Sequence, residues 1–406
     1  MGEREGIKSE DLSKEEYIRR IIRFFIVFGL LLSPFLLLQV LAPIYYDNLP
    51  PDKYPFLQWN NDPQTSISVM WETSFQAPTI INWGSDPENL NFSYWDSTPK
   101  NLHQVNITGL MPDSTYYYKI STNNSGPYKA LGEGKIYAFK TAPNYTRPFS
   151  ITVIGDNREN PIFASSAEEI IFKDIYDADP DFYISIGDIW EEGGNKHTVD
   201  RFFRSVGEIA SNKTFMMSVG NHEIMKGGPE LYLKYMNQPH EYTFGLNYSN
   251  VHFSFLAYPY TCYQSGEIKG NWLNETQVNW IKDDLSKNQD KDWRVVVIHS
   301  PIKSSAYFGE DSKAQRILVP LFEEYNVSLV FMGSDHHYEH LNIDGIDYFV
   351  TGGGGADLAF LGLTTNSTES FLINYQYLKV DFNVSQITIR CFKYDNTLVD
   401  SVKISK

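Results

Sequence analysis

The rhythm of apolar positions changes three times along the chain. Residues 21–44 form an almost uncharged run, FFIVFGLLLSPFLLLQVLAPI at its centre. As a helix it is long enough to cross a hydrocarbon core, which takes ~20 residues, and a proline such as Pro34 is tolerated in membrane helices. Arg19, Arg20 and Arg23 stand at its start, so the positive-inside bias predicts a cytoplasmic segment over 1–20 and a single-pass anchor over 21–44. The remainder is then extracellular, at the cell membrane. A cleaved signal peptide would be shorter and end at small residues, whereas this run ends Leu41-Ala42-Pro43, a poor junction. After a linker at 45–53, residues 54–143 hold short alternating segments, SISVMWE, TIINWG, HQVNIT, YYYKIS and KIYAFKT, with turn signals between them. Period two over short runs predicts a small antiparallel sandwich.

Past Ala142-Pro143 the pattern becomes strand–helix alternation. ITVIG (151–155) ends at Asp156, a helical stretch covers Phe163 to Tyr176, and FYISIG (182–187) ends at Asp188. SKAQRILVPLFEEYN reads as a helix and SLVFMG as a buried strand. Apolar strands alternating with helices predict an α/β domain over 149–406, its sheet covered by helices. From Tyr377 onward the chain alternates like hairpins and should complete a sheet edge.

Composition narrows the function. A chain of 406 residues holds two or three domains at about 150 residues each. A formal net charge of −16 is the opposite of a nucleic-acid footprint. Two cysteines exclude a disulfide scaffold and a Cys-rich metal site. Cys262 and Cys391 can pair in an oxidising compartment or remain buried thiols, and the sequence leaves both open. Ten N-x-[ST] sequons begin at Asn91, Asn106, Asn123, Asn144, Asn212, Asn247, Asn274, Asn326, Asn366 and Asn383. Chance gives about three or four, so N-linked glycans are expected outside the cell.

Five motifs place polar side chains just after apolar strands: Gly155-Asp156-Asn157-Arg158, Gly187-Asp188-Ile189-Trp190-Glu191, Gly220-Asn221-His222-Glu223, Val297-Ile298-His299-Ser300-Pro301 and Gly333-Ser334-Asp335-His336-His337-Tyr338-Glu339. Each alone is weak, since an Asp after a strand often only caps a turn. Together, at the strand ends where α/β folds bind ligands, Asp, Asn and His suit one or two first-row metal ions such as Fe, Mn or Zn. No organic cofactor is expected.

In this order the motifs resemble those of calcineurin-like metallophosphoesterases. With Leu110-Met111-Pro112-Asp113-Ser114-Thr115-Tyr116-Tyr117-Tyr118, which resembles a fibronectin type III signature, the chain after residue 54 is similar to the purple acid phosphatase branch. The resemblance implies a β-sandwich flanked by helices and a phosphate-ester substrate attacked by metal-activated hydroxide. It also implies roles: Asp156 and His336 on a first divalent or trivalent metal ion, Asp188 bridging two, Asn221 and His299 on the second, and His222 assisting the leaving oxygen. Three positions depart from the pattern. Glu191 replaces the tyrosine that colours purple relatives, so no ferric tyrosinate is expected, and its carboxylate is itself a candidate ligand. Arg158 replaces a His or Gly; it cannot ligate a metal but can clamp phosphate. Ser334 replaces the first histidine of G-H-x-H, which weakens the second metal position. A second reading follows from that loss: a degenerate relative kept as a glycosylated surface binding or adhesion module.

Overall fold

The computed structural model describes residues 52–406 except 124–128, 159–166, 225–226, 228, 241, 258–262, 265–266, 269–272, 307–310 and 360–363. The expected cytoplasmic segment and anchor lie outside the described residues, as does Cys262. No helix among the described residues is long and apolar enough to cross a membrane. Cys391 carries a free, buried thiol.

The N-terminal part is a five-stranded antiparallel sheet: β1 (Lys53–Gln58), β2 (Ser66–Gly84), β3 (Phe92–Thr108), β4 (Thr115–Ser121) and β5 (Tyr137–Lys140). SISVMWE and TIINWG, expected as separate strands, form one strand, β2. No turn parts them. Instead the β2–β3 register shifts between Glu72 and Thr79, and such bulges let a strand bend while its pairing continues. β1 therefore pairs with the first half of β2 and β4 with the second, both opposite β3. A tyrosine corner closes the turn before β4, with Met111 N donating to Tyr116 Oη at 3.0 Å.

The larger part begins with β6 (Phe149–Ile154), α1 (Ala167–Asp177), β7 (Phe182–Ser185), α2 (Lys196–Val206), α3 (Ile209–Asn212) and β8 (Phe215–Met217). It continues through α4 (Asn221–Ile224), α5 (Glu230–Tyr235), β9 (Phe244–Tyr248), β10 (Val251–Leu256) and the two-residue pair β11 (Tyr263–Gln264) and β12 (Glu267–Ile268). Next come α6 (Glu275–Lys287), β13 (Trp293–Ile298), α7 (Ser312–Glu324), β14 (Leu329–Met332), β15 (Tyr338–Ile343) and β16 (Ile346–Thr351). β17 (Thr368–Leu372), β18 (Gln376–Phe382), β19 (Gln386–Lys393) and β20 (Leu398–Ser405) close the chain.

Two sheets result, ordered β20-β19-β18-β6-β7-β8 and β17-β15-β16-β14-β13-β10-β9. Their inner faces meet through Ile151, Val153 and Ile184 on one side and Val295, Val297 and Phe331 on the other. Ile171 and Phe172 of α1 and Phe202 of α2 cover the outer face of the first. Ile281 of α6 and Leu318 and Phe322 of α7 cover that of the second. The central strands are therefore buried on both faces, which is why they read as continuous apolar runs. β6, β7 and β8 run parallel, as do β10, β13, β14 and β16, while β18 to β20 form the expected hairpin edge.

The two parts share one packed boundary. Tyr118 Oη donates to Ser211 O at 2.7 Å and Ser211 Oγ to Pro55 O at 2.6 Å. Lys53 is buried between Glu72 and Asp200, and Tyr235 Oη donates to Glu72 at 2.9 Å.

Glu168, in the first turn of α1, is only 3% exposed. Burial pushes its carboxyl from an ordinary 4.5 up to about 8, although Ser205 Oγ donates to it at 2.8 Å. Between those values the folded chain holds a proton that the unfolded chain has lost. This contribution to stability is complete below about pH 4.5 and declines as pH rises toward 8, by at most about 1.4 kcal/mol per pH unit. Glu168→Gln is expected to flatten the fall of Tm between pH 5 and 8 in thermal melts; an unchanged slope would refute this assignment.

Candidate metal centre

Every motif loop reaches the same rim. Asp156 follows β6, Asp188 follows β7, Asn221 opens α4 just after β8, His299 follows β13, and His336 lies between β14 and β15. Asp156, Asp188 and His299 are buried, and each offers a ligand atom within 4.8 Å of the others. His299 Nε2 is 3.3 Å from Asn221 Oδ1 and 3.4 Å from Asp188 Oδ1. His336 Nε2 is 3.5 Å from Asp156 Oδ1.

The backbone accepts strain to make this convergence. Asp156 and Asp188 adopt φ of +52° and +53°, and Ser334 +68°. Such left-handed conformations cost of order 1–3 kcal/mol each and gather at functional sites. Ahead of Asp188, Gly187 has φ +95°, and a Cβ there would lie 2.6 Å from Gly220 N. Glu223 binds the two loops together: its carboxylate accepts from Asp188 N (2.9 Å), Ile189 N (2.8 Å) and Gly220 N (2.7 Å). Burial and the neighbouring Asp188 push its carboxyl up to about 7. The sequence exposes Glu223 as part of a motif but not this clamping role, which depends on backbone amides of another loop.

The donor set fits a cation. His299 Nδ1 donates to Ile186 O at 2.7 Å, and His336 Nδ1 to Asp357 O. Both imidazoles thus present Nε2 to the carboxylates, the arrangement by which a carbonyl orients a metal-binding histidine. Burial would pull the His299 imidazole down, but Asp188 and Asp156 more than reverse it, to about 10. Burial opposes the charge of Asp188, yet His299, His222 and Arg158 hold its carboxyl well below the usual range. Asp156 Oδ2 accepts from Ser334 N at 2.8 Å, while its Oδ1 is buried and accepts no hydrogen bond among the described residues. Carboxylate, amide and imidazole atoms of this kind suit first-row metal ions.

The remaining expected residues take distinct places. The carboxylate of Glu191, a candidate ligand from sequence, is paired with Arg158 Nη1 instead of joining the Asp156–Asp188–His299 cluster. Arg158 Nε stands 3.9 Å from Asp188 Oδ2. His222 donates its backbone N–H to Asp188 Oδ1 at 2.9 Å, and its ring holds Nδ1 on Glu191 O at 2.6 Å. Both histidines near Ser334 have carboxylate partners of their own. His337 Nε2 contacts Glu339 at 3.2 Å, and His340 Nε2 contacts Asp347 at 2.8 Å with its ring stacked on Phe349.

Comparison with known proteins agrees with this geometry. The calcineurin-like phosphoesterase family matches residues 149–338, and the purple acid phosphatase N-terminal domain matches residues 53–141. This chain carries a calcineurin-like metallophosphoesterase domain behind a purple acid phosphatase N-terminal domain. Among curated relatives, purple acid phosphatase 21 of Arabidopsis thaliana is 27% identical over 248 residues, covering 59% of this chain and 53% of that one. The chain thus spans about half the length of the curated relatives it matches. Among solved structures, purple acid phosphatase PPD1 from yellow lupin (Lupinus luteus) seeds superposes with a TM-score of 0.70 at 20% identity, over 88% of this chain and 75% of that one. PhoD superposes with a TM-score of 0.64 at 12% identity, over 87% and 93%. Both share the fold with this chain, whose rim brings Asp156, Asp188 and His299 together as a group able to hold a metal ion.

The fit between the Asp188 and Asn221 loops of this domain leaves no spare volume. A Cβ on Gly220 would lie 2.2 Å from Asp188 Oδ1 and 2.4 Å from Asp188 N. Gly220→Ala is expected to destabilise the chain by about 1–3 kcal/mol and to weaken Mn²⁺ binding, read by thermal melts and metal titration. Wild-type values for both would show that the loops are not packed in this way.

Proposed function

We propose that the chain is a membrane-anchored, outward-facing phosphoesterase that hydrolyses phosphate esters in the manner of purple acid phosphatases. The convergence of Asp156, Asp188, Asn221, His299 and His336 on one rim carries this reading. In it, Asp156 and His336 would hold one metal ion, Asn221 and His299 would hold a second, and Asp188 would serve both. Fe, Mn or Zn ions held there would supply Lewis acidity toward the phosphoryl oxygens and a nucleophilic water at neutral pH.

The chain's own groups do the rest. Arg158 offers a guanidinium to the phosphate oxygens, a planar donor suited to that geometry. His222 spends Nδ1–H on the carbonyl of Glu191, so on the doubly protonated ring Nε2–H is the proton available to a leaving oxygen, and its transfer leaves a neutral imidazole. Glu223 keeps Asp188 and Asn221 in register. Residues 21–44 supply the anchor, and the sequons support an outer, glycosylated surface. Eight sequon asparagines are exposed, whereas Asn212 and Asn247 are partly buried. Asn212 Nδ2 donates to Glu208 O at 2.9 Å and its Oδ1 accepts from Ala138 N at 3.0 Å; Asn247 Nδ2 donates to Asn288 at 3.2 Å.

Ser334 favours the competing reading, a binding module without turnover. Hydrolysis of 4-nitrophenyl phosphate by the purified chain, with metal content measured in parallel, separates the two. The wild type is expected to hold metal and turn over. Asp188→Asn should lose bound metal and at least about a hundredfold in rate. A metal-free, inactive wild type would establish the binding module instead.

Glycopeptide mapping after expression in a eukaryotic host addresses placement. Glycans are expected on exposed sequons and not on Asn212 or Asn247. A chain carrying no glycan would refute the outward-facing arrangement.

A further inference from the structure

Arg158 N donates to Asp188 O at 3.1 Å, but the Arg158 guanidinium lies beside the Asp188 carboxylate without a hydrogen bond to it. Its Nε–H is buried, has no acceptor among the described residues, and stands 3.9 Å from Asp188 Oδ2. Arginine and carboxylate frequently pair through two hydrogen bonds, and a second anion nearby competes for the same guanidinium. Glu191 is that anion, since its carboxylate takes Arg158 Nη1. Arg158 and Glu191 are 15% and 27% exposed in their side chains, so the pair is partly shielded from water and screened less than a surface pair. The carbonyl of the same residue fixes His222, whose Nε2 stands 3.8 Å from Asp188 Oδ2. Side chain and backbone of one residue thereby set two cationic-capable groups near one oxygen of the carboxylate shared between the metal positions.

We propose that Glu191 is a positioning residue, a counter-anion that holds the Arg158 guanidinium off Asp188. Asp188 is thereby kept for metal, and Arg158 Nε–H is left pointing at an oxygen of the bound phosphate group. The inference rests on the phosphoesterase reading above. It also assigns Glu191 a different task from the direct ligation that its sequence position suggests, and the two tasks make opposite forecasts. If Glu191 were a ligand, its loss would weaken metal binding whatever residue 158 is. As a counter-anion, its loss matters only while Arg158 is there to collapse onto Asp188.

The test is a calorimetric titration of the metal-stripped full-length chain with Mn²⁺, using wild type, Glu191→Gln, Arg158→Met and the double variant. Glutamine keeps the side-chain length and the carbonyl that holds His222. Glu191→Gln is expected to weaken Mn²⁺ binding about tenfold, and the double variant to return to within about threefold of wild type. Arg158→Met alone should bind Mn²⁺ at least as well as wild type. On the Mn²⁺-loaded chains, Glu191→Gln and Arg158→Met should both lose about tenfold in affinity for inorganic phosphate. Unchanged Mn²⁺ affinity in Glu191→Gln would overturn the proposal while the metal site stands. A double variant as weak as Glu191→Gln would overturn it in favour of direct ligation. A wild type that binds no Mn²⁺ would instead overturn the phosphoesterase reading, and this proposal with it.

Discussion

Negative charge buried at the rim of two sheets is the constraint around which the phosphoesterase domain is organised. Asp156 and Asp188 are almost wholly withdrawn from solvent, with Glu223 buried beside them. Removing an ionised carboxylate from water costs several kcal/mol even after relaxation, and placing two together adds repulsion. The chain offsets this with donors that cannot move. Backbone N–H groups of Ser334, Asp188, Ile189 and Gly220 bind Asp156 and Glu223, and the imidazoles of His299 and His336 are drawn to the carboxylates. What these donors leave over is a field that favours a cation, with Asp156 Oδ1 buried within it and without a hydrogen bond among the described residues.

That field exists only because the two sheets meet where they do. Asp156 and Asp188 end strands of the six-stranded sheet, and His299 ends a strand of the seven-stranded one. The contact of His299 Nδ1 with Ile186 O ties one sheet's loop to the other. The position of each ligand therefore depends on the apolar core between the sheets, where Val153 and Ile184 face Val297 and Phe331. The N-terminal sheet adds support from outside. Lys53 and Glu72 engage Asp200 of α2 and Tyr235 of α5, and α5 closely follows the turn that carries Asn221 and His222. Breaking one partner of such a buried charge network leaves the other uncompensated, so the boundary between the β domain and the phosphoesterase domain depends on each of its members.

The features legible in the sequence are those whose signal is local. Gly-Asp after an apolar strand, Gly-Asn-His-Glu and the hairpin rhythm after Tyr377 each lie within a few residues, and the strands and loops follow them. A strand covered by a helix and one covered by a second sheet read identically, because both faces are apolar either way. The residue pattern alone therefore indicated a helix-covered sheet, and the second sheet came only through family resemblance. The continuity of β2 was hidden for a related reason: Thr73 to Pro78 looks like a turn, but bulged pairing to β3 carries the strand through it. Side-chain partners were the least legible. Arg158 and Glu191 lie on different loops, and His340 is taken up by Phe349 directly opposite it on β16.

The departures from the family pattern are coupled through charge. A carboxylate at 191 would add an anion to a rim that already strains to neutralise its own. Arg158, pairing with it, cancels that addition, so the two changes together leave the net field almost where it was. Ser334 differs in kind. It removes a neutral nitrogen donor without altering the charge, and its backbone N–H still serves Asp156. Long-range attraction for a cation is thus preserved while one coordination sphere is thinner. On the proposed assignment, affinity at that position would lean more heavily on Asp188, whose Oδ1 accepts from His222 N at 2.9 Å and stands 3.4 Å from His299 Nε2. Arg158 Nε stands 3.9 Å from Asp188 Oδ2 while its Nη1 pairs with Glu191, so on that assignment the departures at 158 and 191 would both act on the same carboxylate.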